Sequence, residues 1–559
     1  MTDNKDKLKI IPLGGTEEVG RNCTVFEYQD QILIVDLGLG FPEEDMPGVD
    51  YIIPNTKYLQ QNSEKIKGAI ITHGHYDHIG AIPHVVDRLG NPPIFTGELT
   101  QKIIEKRQED YSNVSKPDIH QVEAGDTVEL GDFTVEFFNV NHNIPNSLGA
   151  VIRTPVGNVI HTGDFKFDRN PVSEDPTDIP KLASLGEEGV LALLSDSTNA
   201  EKEGFSTSET EIKENLNQIF ERFEDNRLIV STFSSLISRV QQVFDLAEKH
   251  NRKVAVDGYS MKTNVEIAKE LGYLKFHKGT QIPMKKVSNY KPEDVVILAT
   301  GAQGEGNAAL MRIAQGNHRH IKLSKKDVVI FSSSIVPGNE NTVQSLKDII
   351  FRQGAKVIDY EMMDIHTGGH AKEEDLKMLI NLVQPKYLIP VEGNYYMLKL
   401  QTELAQKMGM PKENTVILGN GDMAILDQNE IEVRENEVPS NYVFVDGLGV
   451  GDVGEIVLRD RQKMSEEGMF VVIVQVNSDS GEVEGHINII SRGFVYLEDS
   501  KDLLNDARKK IKDIVSEEAA GQQSLNWSYL KDVLRDRLGD FLYQKTHRRP
   551  MVLPVVIEV

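Results

Sequence analysis

Between residues 70 and 80 the chain reads Ile70-Ile71-Thr72-His73-Gly74-His75-Tyr76-Asp77-His78-Ile79-Gly80, three histidines and an aspartate directly behind an apolar run. No other feature constrains the fold as tightly. Neutral imidazole and carboxylate are the usual protein ligands of zinc and similar dications. To aim four of them at one place, a strand must end in a loop that opens into a helix, and Gly74 is expected to let that loop bend. Layered α/β folds place reactive side chains in this way, on loops at a common edge of a sheet. His142 behind Phe133–Val140 and Asp164 behind Gly157–Thr162 stand in the same situation. Alone, either is a bland loop residue. In series with the first motif they complete a metal-ligand set in which the Asp164 carboxylate bridges two ions.

Apolar runs separated by Gly-rich or polar turns occupy the first 200 residues and predict strands at Ile10–Leu13, Ile32–Leu37, Gly68–Thr72, Phe133–Val140, Val151–Thr154, Gly157–Thr162 and Leu191–Leu194. The rhythm then changes. Helical segments at Glu209–Phe223, Ser238–His250 and Lys262–Leu271 alternate with apolar runs at Arg227–Thr232, Lys253–Asp257, Val295–Thr300 and Val328–Ser332, which predicts parallel βαβ units. The simplest arrangement is a metal-type domain (1–207 and 361–435) interrupted by an inserted α/β domain (208–360). Residues 421–460 read as a connector running against the first domain, with 436–460 as the linker proper. A terminal α/β module over 461–559 follows, with strands at Phe470–Val476, Glu484–Ile490 and Met551–Val559 and helices at Leu503–Glu518 and Trp527–Tyr543. Thr300–Gly306 is glycine-rich, but no GK[ST] follows, so a nucleotide P-loop is not expected.

Composition excludes several classes. No apolar stretch approaches about 18 residues, the length that a membrane span needs. Met1 to Lys9 is polar and charged and has no secretory apolar core. The single cysteine, Cys23, fits a reducing compartment, so a cytoplasmic protein without a membrane partner is expected. A net charge of −25 argues against an open, basic nucleic-acid-binding face, yet leaves room for a nucleic acid that meets metal ions inside a cleft. Arg312, Arg319, Lys322, Lys325 and Lys326 cluster, as solvated surfaces often do.

The HxHxDH motif followed by His142, Asp164 and a later histidine resembles the metallo-β-lactamase superfamily, which implies an αββα sandwich with two metals at one edge. The insertion and Ile365-His366-Thr367-Gly368-Gly369-His370 are similar to its β-CASP branch, which acts on nucleic acids. Within that branch the chain resembles the ribonuclease J family along nearly its whole length, from Gly14-Gly15-Thr16-Glu17-Glu18-Val19-Gly20 through Gly163-Asp164-Phe165-Lys166 and Ser195-Asp196-Ser197-Thr198-Asn199 to the terminal module. The resemblance implies metal-dependent cleavage of single-stranded RNA, endonucleolytic and 5′-to-3′ exonucleolytic, in RNA maturation, rRNA processing and mRNA decay. It implies that His73, His75 and His142 hold one metal, Asp77 and His78 the other, and that Asp164 bridges; zinc is the family's ion. His370 is implied as proton donor at the leaving oxygen, oriented by Asp196, with Asp77 also in the catalytic set. Ser234, Ser235 and His366, Thr367, Gly368, Gly369 and His370 resemble the family's cradle for the RNA 5′ phosphate. The terminal module implies homodimers or tetramers.

The sequence also departs from that pattern. The family's last histidine ligand falls at Glu392, in Pro390-Val391-Glu392-Gly393-Asn394-Tyr395. A carboxylate there favours harder ions such as manganese or magnesium and repels phosphate if it is left unpaired. Gly368 stands for a serine, and Leu236 and Ser238 for an asparagine and a histidine near the 5′ phosphate. These changes suggest the second, degenerate paralogue of a Gram-positive pair, weakly active and assembled with a more active sister. The alternative is a non-catalytic RNA-binding and assembly subunit.

Overall fold

Phe133–Asn139 turns Phe133, Val135 and Phe137 to one side, and its antiparallel neighbour Leu148–Thr154 turns Leu148, Ala150 and Ile152 to the same side, with Val135 opposite Ile152 and Phe137 opposite Ala150. That period of two makes these segments strands and gives their sheet one apolar face. The computed structural model describes residues 6–43, 45–172, 174–336, 338–447, 449–478, 480–496, 500–520 and 526–559. Of the polar N-terminal stretch, Met1 to Lys5 lie outside the described residues.

The chain forms two units, residues up to Gly40 with Ile53–Tyr442, and Phe41–Ile52 with Val443–Val559. In the first, two mixed sheets face each other. One runs in the order Ile431–Arg434, Met423–Leu426, Leu8–Gly14, Cys23–Tyr28, Gln31–Val35, Ile66–Ile70, Ile94–Thr96, Ile119–Gln121. The other runs Tyr387–Val391, Ala192–Asp196, Gly157–His161, Leu148–Thr154, Phe133–Asn139, Thr127–Leu130. Leu8, Ile10, Phe26, Leu33 and Val35 of the first sheet pack against Phe133, Phe137, Ile152, Leu194 and Ile389 of the second. Each such side chain contributes about 1.5–3 kcal/mol on burial. Helices Ile179–Glu188, Glu373–Val383 and Tyr395–Lys407 cover the second sheet's other face through Leu182, Leu185, Leu379, Ile380 and Leu404. This is the expected αββα sandwich.

Between the sandwich strands Ala192–Asp196 and Tyr387–Val391 lies a wholly parallel sheet, ordered Gln281–Ile282, Lys253–Asp257, Val295–Ala299, Arg227–Ser231, Asp327–Phe331, Lys356–Asp359. Helices Glu209–Arg222, Ile237–Lys249 and Tyr259–Glu270 bury one face of it, and Ala309–Ala314 with Glu340–Arg352 bury the other. Residues 421–460 divide. Met423–Leu426 and Ile431–Arg434 are strands that extend the first sheet beyond Leu8–Gly14, whereas Val443–Asp446 belongs to the second unit. A connector was expected because this segment's pairing partner lies some 400 residues earlier, beyond the reach of any local pattern.

In the second unit Met469–Val476 pairs antiparallel with Val483–Arg492 and parallel with Met551–Glu558. Helices Lys501–Ala519 and Trp527–Thr546 cover one face, and the second buries Leu530, Leu534, Leu538 and Leu542, a four-residue spacing along a single stripe. Among the described residues no helix is long and apolar enough to cross a membrane.

Candidate metal centre

Four short connections at one edge of the sandwich carry the chemistry. Ile66–Ile70 ends before Thr72 and His73, and the helix Tyr76–Ile79 opens on His75. His142 follows Phe133–Asn139, Asp164 follows Gly157–His161, and Asp196 closes Ala192–Asp196. His73 Nε2 lies 3.0 Å from His75 Nδ1, which lies 3.1 Å from His142 Nε2, and Asp164 Oδ2 is 3.7 Å from His73 and 3.4 Å from His142. His78 Nε2 stands 3.4 Å from Asp164 Oδ1 and 3.7 Å from Asp77 Oδ2. Ligand atoms about 2.0–2.1 Å from a tetrahedral zinc lie roughly 3.3 Å apart, so both groups have the span of an ion's donor shell.

For His142 and His78 the outward nitrogen meets an oxygen that can only accept. His142 Nδ1 donates to the Gly369 carbonyl (2.8 Å), and His78 Nδ1 donates to Asp36 Oδ2 (2.7 Å). His73 Nδ1 lies 3.1 Å from the Thr72 hydroxyl, which itself bonds Asp36, and His75 Nε2 lies 3.0 Å from Ser235 Oγ. His73, His75 and His142 thus meet the surrounding protein with one nitrogen and turn the other inward, whereas His78 Nε2 also lies 3.0 Å from the Asn22 amide. Burial drives His73, His75 and His142 below the usual histidine range, which keeps their inward lone pairs free. For His78 burial acts the same way, but Asp164, Asp36 and Asp77 outweigh it and raise its pKa. Three inward nitrogens with 3.0 and 3.1 Å between neighbours, and a buried Asp164 Oδ1 without a hydrogen-bond partner, fit divalent ions. The donor set also fits the chemistry of such ions, being imidazole and carboxylate throughout.

Glu392 is buried, with a left-handed backbone (φ 57°), its N–H on the Gly15 carbonyl (2.6 Å) and its own carbonyl accepting from Thr198 Oγ1 (2.7 Å). Its carboxylate lies within reach of Asp36 and His78, and Oε2 has no hydrogen-bond partner. Burial first, and then the nearby Asp164, push its pKa well up. Asp164 moves the other way, because His78 and His370 outweigh its burial. The two carboxyls thus shift in opposite directions, Glu392 up and Asp164 down.

His370 Nδ1 donates to Asp196 Oδ2 (2.8 Å) and lies 3.9 Å from Asp164 Oδ2. Burial disfavours its cation, but Asp196 and Asp164 raise its pKa to about 9. Asp196 Oδ1 also accepts from Thr198 N–H (2.9 Å), so the turn that it forms and the histidine that it holds use different oxygens.

The remaining cradle residues separate. Ser235 bonds His75, whereas Ser234 uses its carbonyl to accept from Asn264. Gly369 lies so close to the His142 ring that a Cβ would collide with it. Gly368 faces the Asn199 amide, Thr367 is buried, and His366 is half-buried with its ring 6.1 Å from Phe233; desolvation and then Arg239 lower its pKa to about 3. Leu236 and Ser238 are both buried.

Two residues at the centre escaped sequence reasoning. Asp36 accepts from Thr72 N–H, Thr72 Oγ1 and His78 Nδ1, and Asn22 Nδ2 donates to His78 Nε2 at 3.0 Å. Val35-Asp36 at a strand end was the one available signal for the first, and nothing marked the second. Gly74 does not supply a left-handed bend. A Cβ there would lie 2.8 Å from Ile103 Cδ1, so the glycine answers to close packing.

Comparisons with known proteins place this geometry in a lineage. Residues 16–213 match the metallo-beta-lactamase superfamily, 225–350 the ribonuclease J beta-CASP domain, 358–418 a Zn-dependent metallo-hydrolase RNA specificity domain, and 456–559 the ribonuclease J C-terminal domain. The chain is 39% identical to ribonuclease J 1 of Streptococcus pyogenes serotype M3 over 99% of its own length and 98% of the relative's. It is 36% identical to ribonuclease J2 of Bacillus subtilis strain 168, over 100% and 99%. A crystal structure of a protein of unknown function from Enterococcus faecalis V583 shares the fold, with a TM-score of 0.56 at 16% identity, covering 75% of this chain and 100% of that one.

Proposed function

The chain belongs to the ribonuclease J family and is a metal-dependent ribonuclease; on that footing we propose that it cuts single-stranded RNA both internally and from the 5′ end, in RNA maturation and mRNA decay. We assign His73, His75, His142 and Asp164 to one dication, and His78, Asp77 and Asp164 to a second, with Glu392 at its margin. Two such ions, when bound, lower the pKa of a water between them and offset charge that develops on the scissile phosphate. The protein's own part is orientation and proton transfer. Asp36 and the Gly369 carbonyl hold His78 and His142 in the tautomers that present a lone pair inward. His370, kept protonated by Asp196, gives its proton to the leaving oxygen. Ser234, Ser235 and the 366–370 loop border the RNA 5′ phosphate in this reading.

The observation that carries the proposal is the convergence of three inward imidazole nitrogens on Asp164, beside the His370–Asp196 pair. Glu392 supports a further point, that the second ion is held less firmly and 5′-to-3′ activity is weak, because a carboxyl whose neutral form is favoured by burial replaces an imidazole. Manganese or magnesium suits that second position better than zinc. An outward stripe of Ile490, Leu553, Val555 and Ile557 on the terminal sheet supports dimers or tetramers, including mixed ones with a more active sister. The same observation at Glu392 favours the second reading, an RNA-binding assembly subunit without turnover.

Elemental analysis of the purified chain, combined with degradation of a 5′-monophosphorylated RNA with and without added manganese, tests the choice. The proposal expects two ions at saturating manganese and turnover that is lost when Asp77 and His78 are both exchanged for Ala. One ion or none, with RNA bound but intact, supports the assembly subunit instead.

A further inference from the structure

Tyr76 sits between His75 and Asp77, one residue from each of the two ligand groups. His73, His78 and Ile79 around it are almost wholly buried, yet 44% of Tyr76 is exposed. A single exposed tyrosine is ordinary. Its mounting is not. The Arg107 guanidinium lies under the ring, 4.5 Å from its centroid, and 5.8 Å from the ring of Tyr111 beyond it. Arg107 is itself buried and donates through Nη2 to the Gly80 carbonyl at 3.3 Å. Tyr111 in turn meets His84 edge-on at 5.1 Å. The Tyr76 backbone carbonyl accepts from both Leu39 N–H (3.0 Å) and Gly80 N–H (2.7 Å). The Tyr76 ring is thus backed by a buried cation and its backbone carbonyl is held by two hydrogen bonds, while 44% of the residue remains exposed.

We propose that Tyr76 is a stacking platform for one nucleobase of the single-stranded RNA whose phosphate is held at the metal centre. This rests on the ribonuclease reading of that centre. The chemistry selects a base over other partners. The side chain brings an uncharged π-system that suits the face of any base, and its hydroxyl, the one group from which a phosphate would accept, is what Tyr76→Phe removes. The Arg107 cation against the ring restrains the side chain, so less conformational freedom remains to be lost on stacking. Because every base has a π-face, the platform positions the strand without reading sequence, as an enzyme of RNA decay requires.

The test measures the affinity of the full-length chain, with manganese, for a short cleavage-resistant 5′-monophosphorylated RNA, and for a series that carries one abasic nucleotide at successive positions. Tyr76→Phe should bind as the wild type does. Tyr76→Leu should bind about tenfold more weakly with unchanged metal content, a factor within the range measured for base–aromatic stacking. One abasic position should weaken the wild type by a similar factor and add nothing in Tyr76→Leu. Unchanged affinity in Tyr76→Leu, or an abasic penalty that persists in it, overturns the proposal. Should Tyr76→Leu fail to fold, the wild-type series still decides, since affinity insensitive to every abasic position overturns it too. A wild-type chain that binds no RNA at all sinks the ribonuclease reading together with this one, a result told apart by the first measurement.

Discussion

Asp36 is assigned to neither ion in the proposed reading, yet it anchors a histidine of each proposed ligand group. It holds His78 directly and His73 through the Thr72 hydroxyl. Outer partners of this kind set tautomer and ring angle. Asp36→Asn keeps the shape but turns an NH2 or a single acceptor toward three donors. It should lower metal affinity about 10–100-fold while leaving the circular dichroism spectrum unchanged; a chelator competition titration reads the loss. In the proposed reading Glu392 works against the second ion, because burial and then Asp164 raise the pKa of its carboxyl and so favour its neutral form. Glu392→His should therefore raise manganese occupancy toward two per chain and increase turnover of 5′-monophosphorylated RNA. Unaltered stoichiometry would place the residue outside the site.

At the scale of elements, the inserted sheet is joined to the sandwich by a buried ionic cluster. Glu209 opens the helix Glu209–Arg222, and its carboxylate accepts from Arg239 Nη2 (2.9 Å) and Gln242 Nε2 (2.7 Å), with Lys166 of the sandwich 3.7 Å away. Arg239, on the helix Ile237–Lys249, also donates to Ser332 Oγ and to the Ile365 carbonyl (2.6 Å), directly before the 366–370 loop. Burial alone would raise the Glu209 pKa, but Arg239 and Lys166 lower it from 4.5 to about 2. A depressed carboxylate pKa contributes stability that is fully present above 4.5 and is lost as pH falls through about 2. The contribution is on the order of 3 kcal/mol. Urea unfolding should find Glu209→Gln less stable than the wild type at pH 7, where Arg239 is left buried without its partner. The difference should narrow as pH drops below 4.5. A gap that stays constant between pH 7 and pH 3 would contradict this account of the cluster.

Over the whole molecule, what could be read from the sequence was what lies close along the chain. The HGHYDH run carries its own geometry, because a strand, a loop and one helical turn suffice to aim it. The parallel inserted sheet was legible through the alternation of apolar runs with amphipathic helices such as Ile237–Lys249. Asp36 and Asn22 were not, since their roles exist only once Gln31–Val35 lies beside Ile66–Ile70 and Asn22 reaches His78. Met423–Leu426 escaped for the same reason, its partner being Leu8–Gly14 at the other end of the sandwich domain. Gly369 stood out in the sequence as part of a small-residue loop, but its close approach to the His142 ring, on another element, was not legible there. The central claim concerns convergence, and manganese-soaked crystals with anomalous scattering measured at the manganese edge test it directly. The account predicts two peaks, one within about 2.0–2.2 Å of His73 Nε2, His75 Nδ1 and His142 Nε2, the other beside His78 Nε2 and Asp77, with Asp164 between them. Anomalous density elsewhere on the chain and none among these side chains would contradict it.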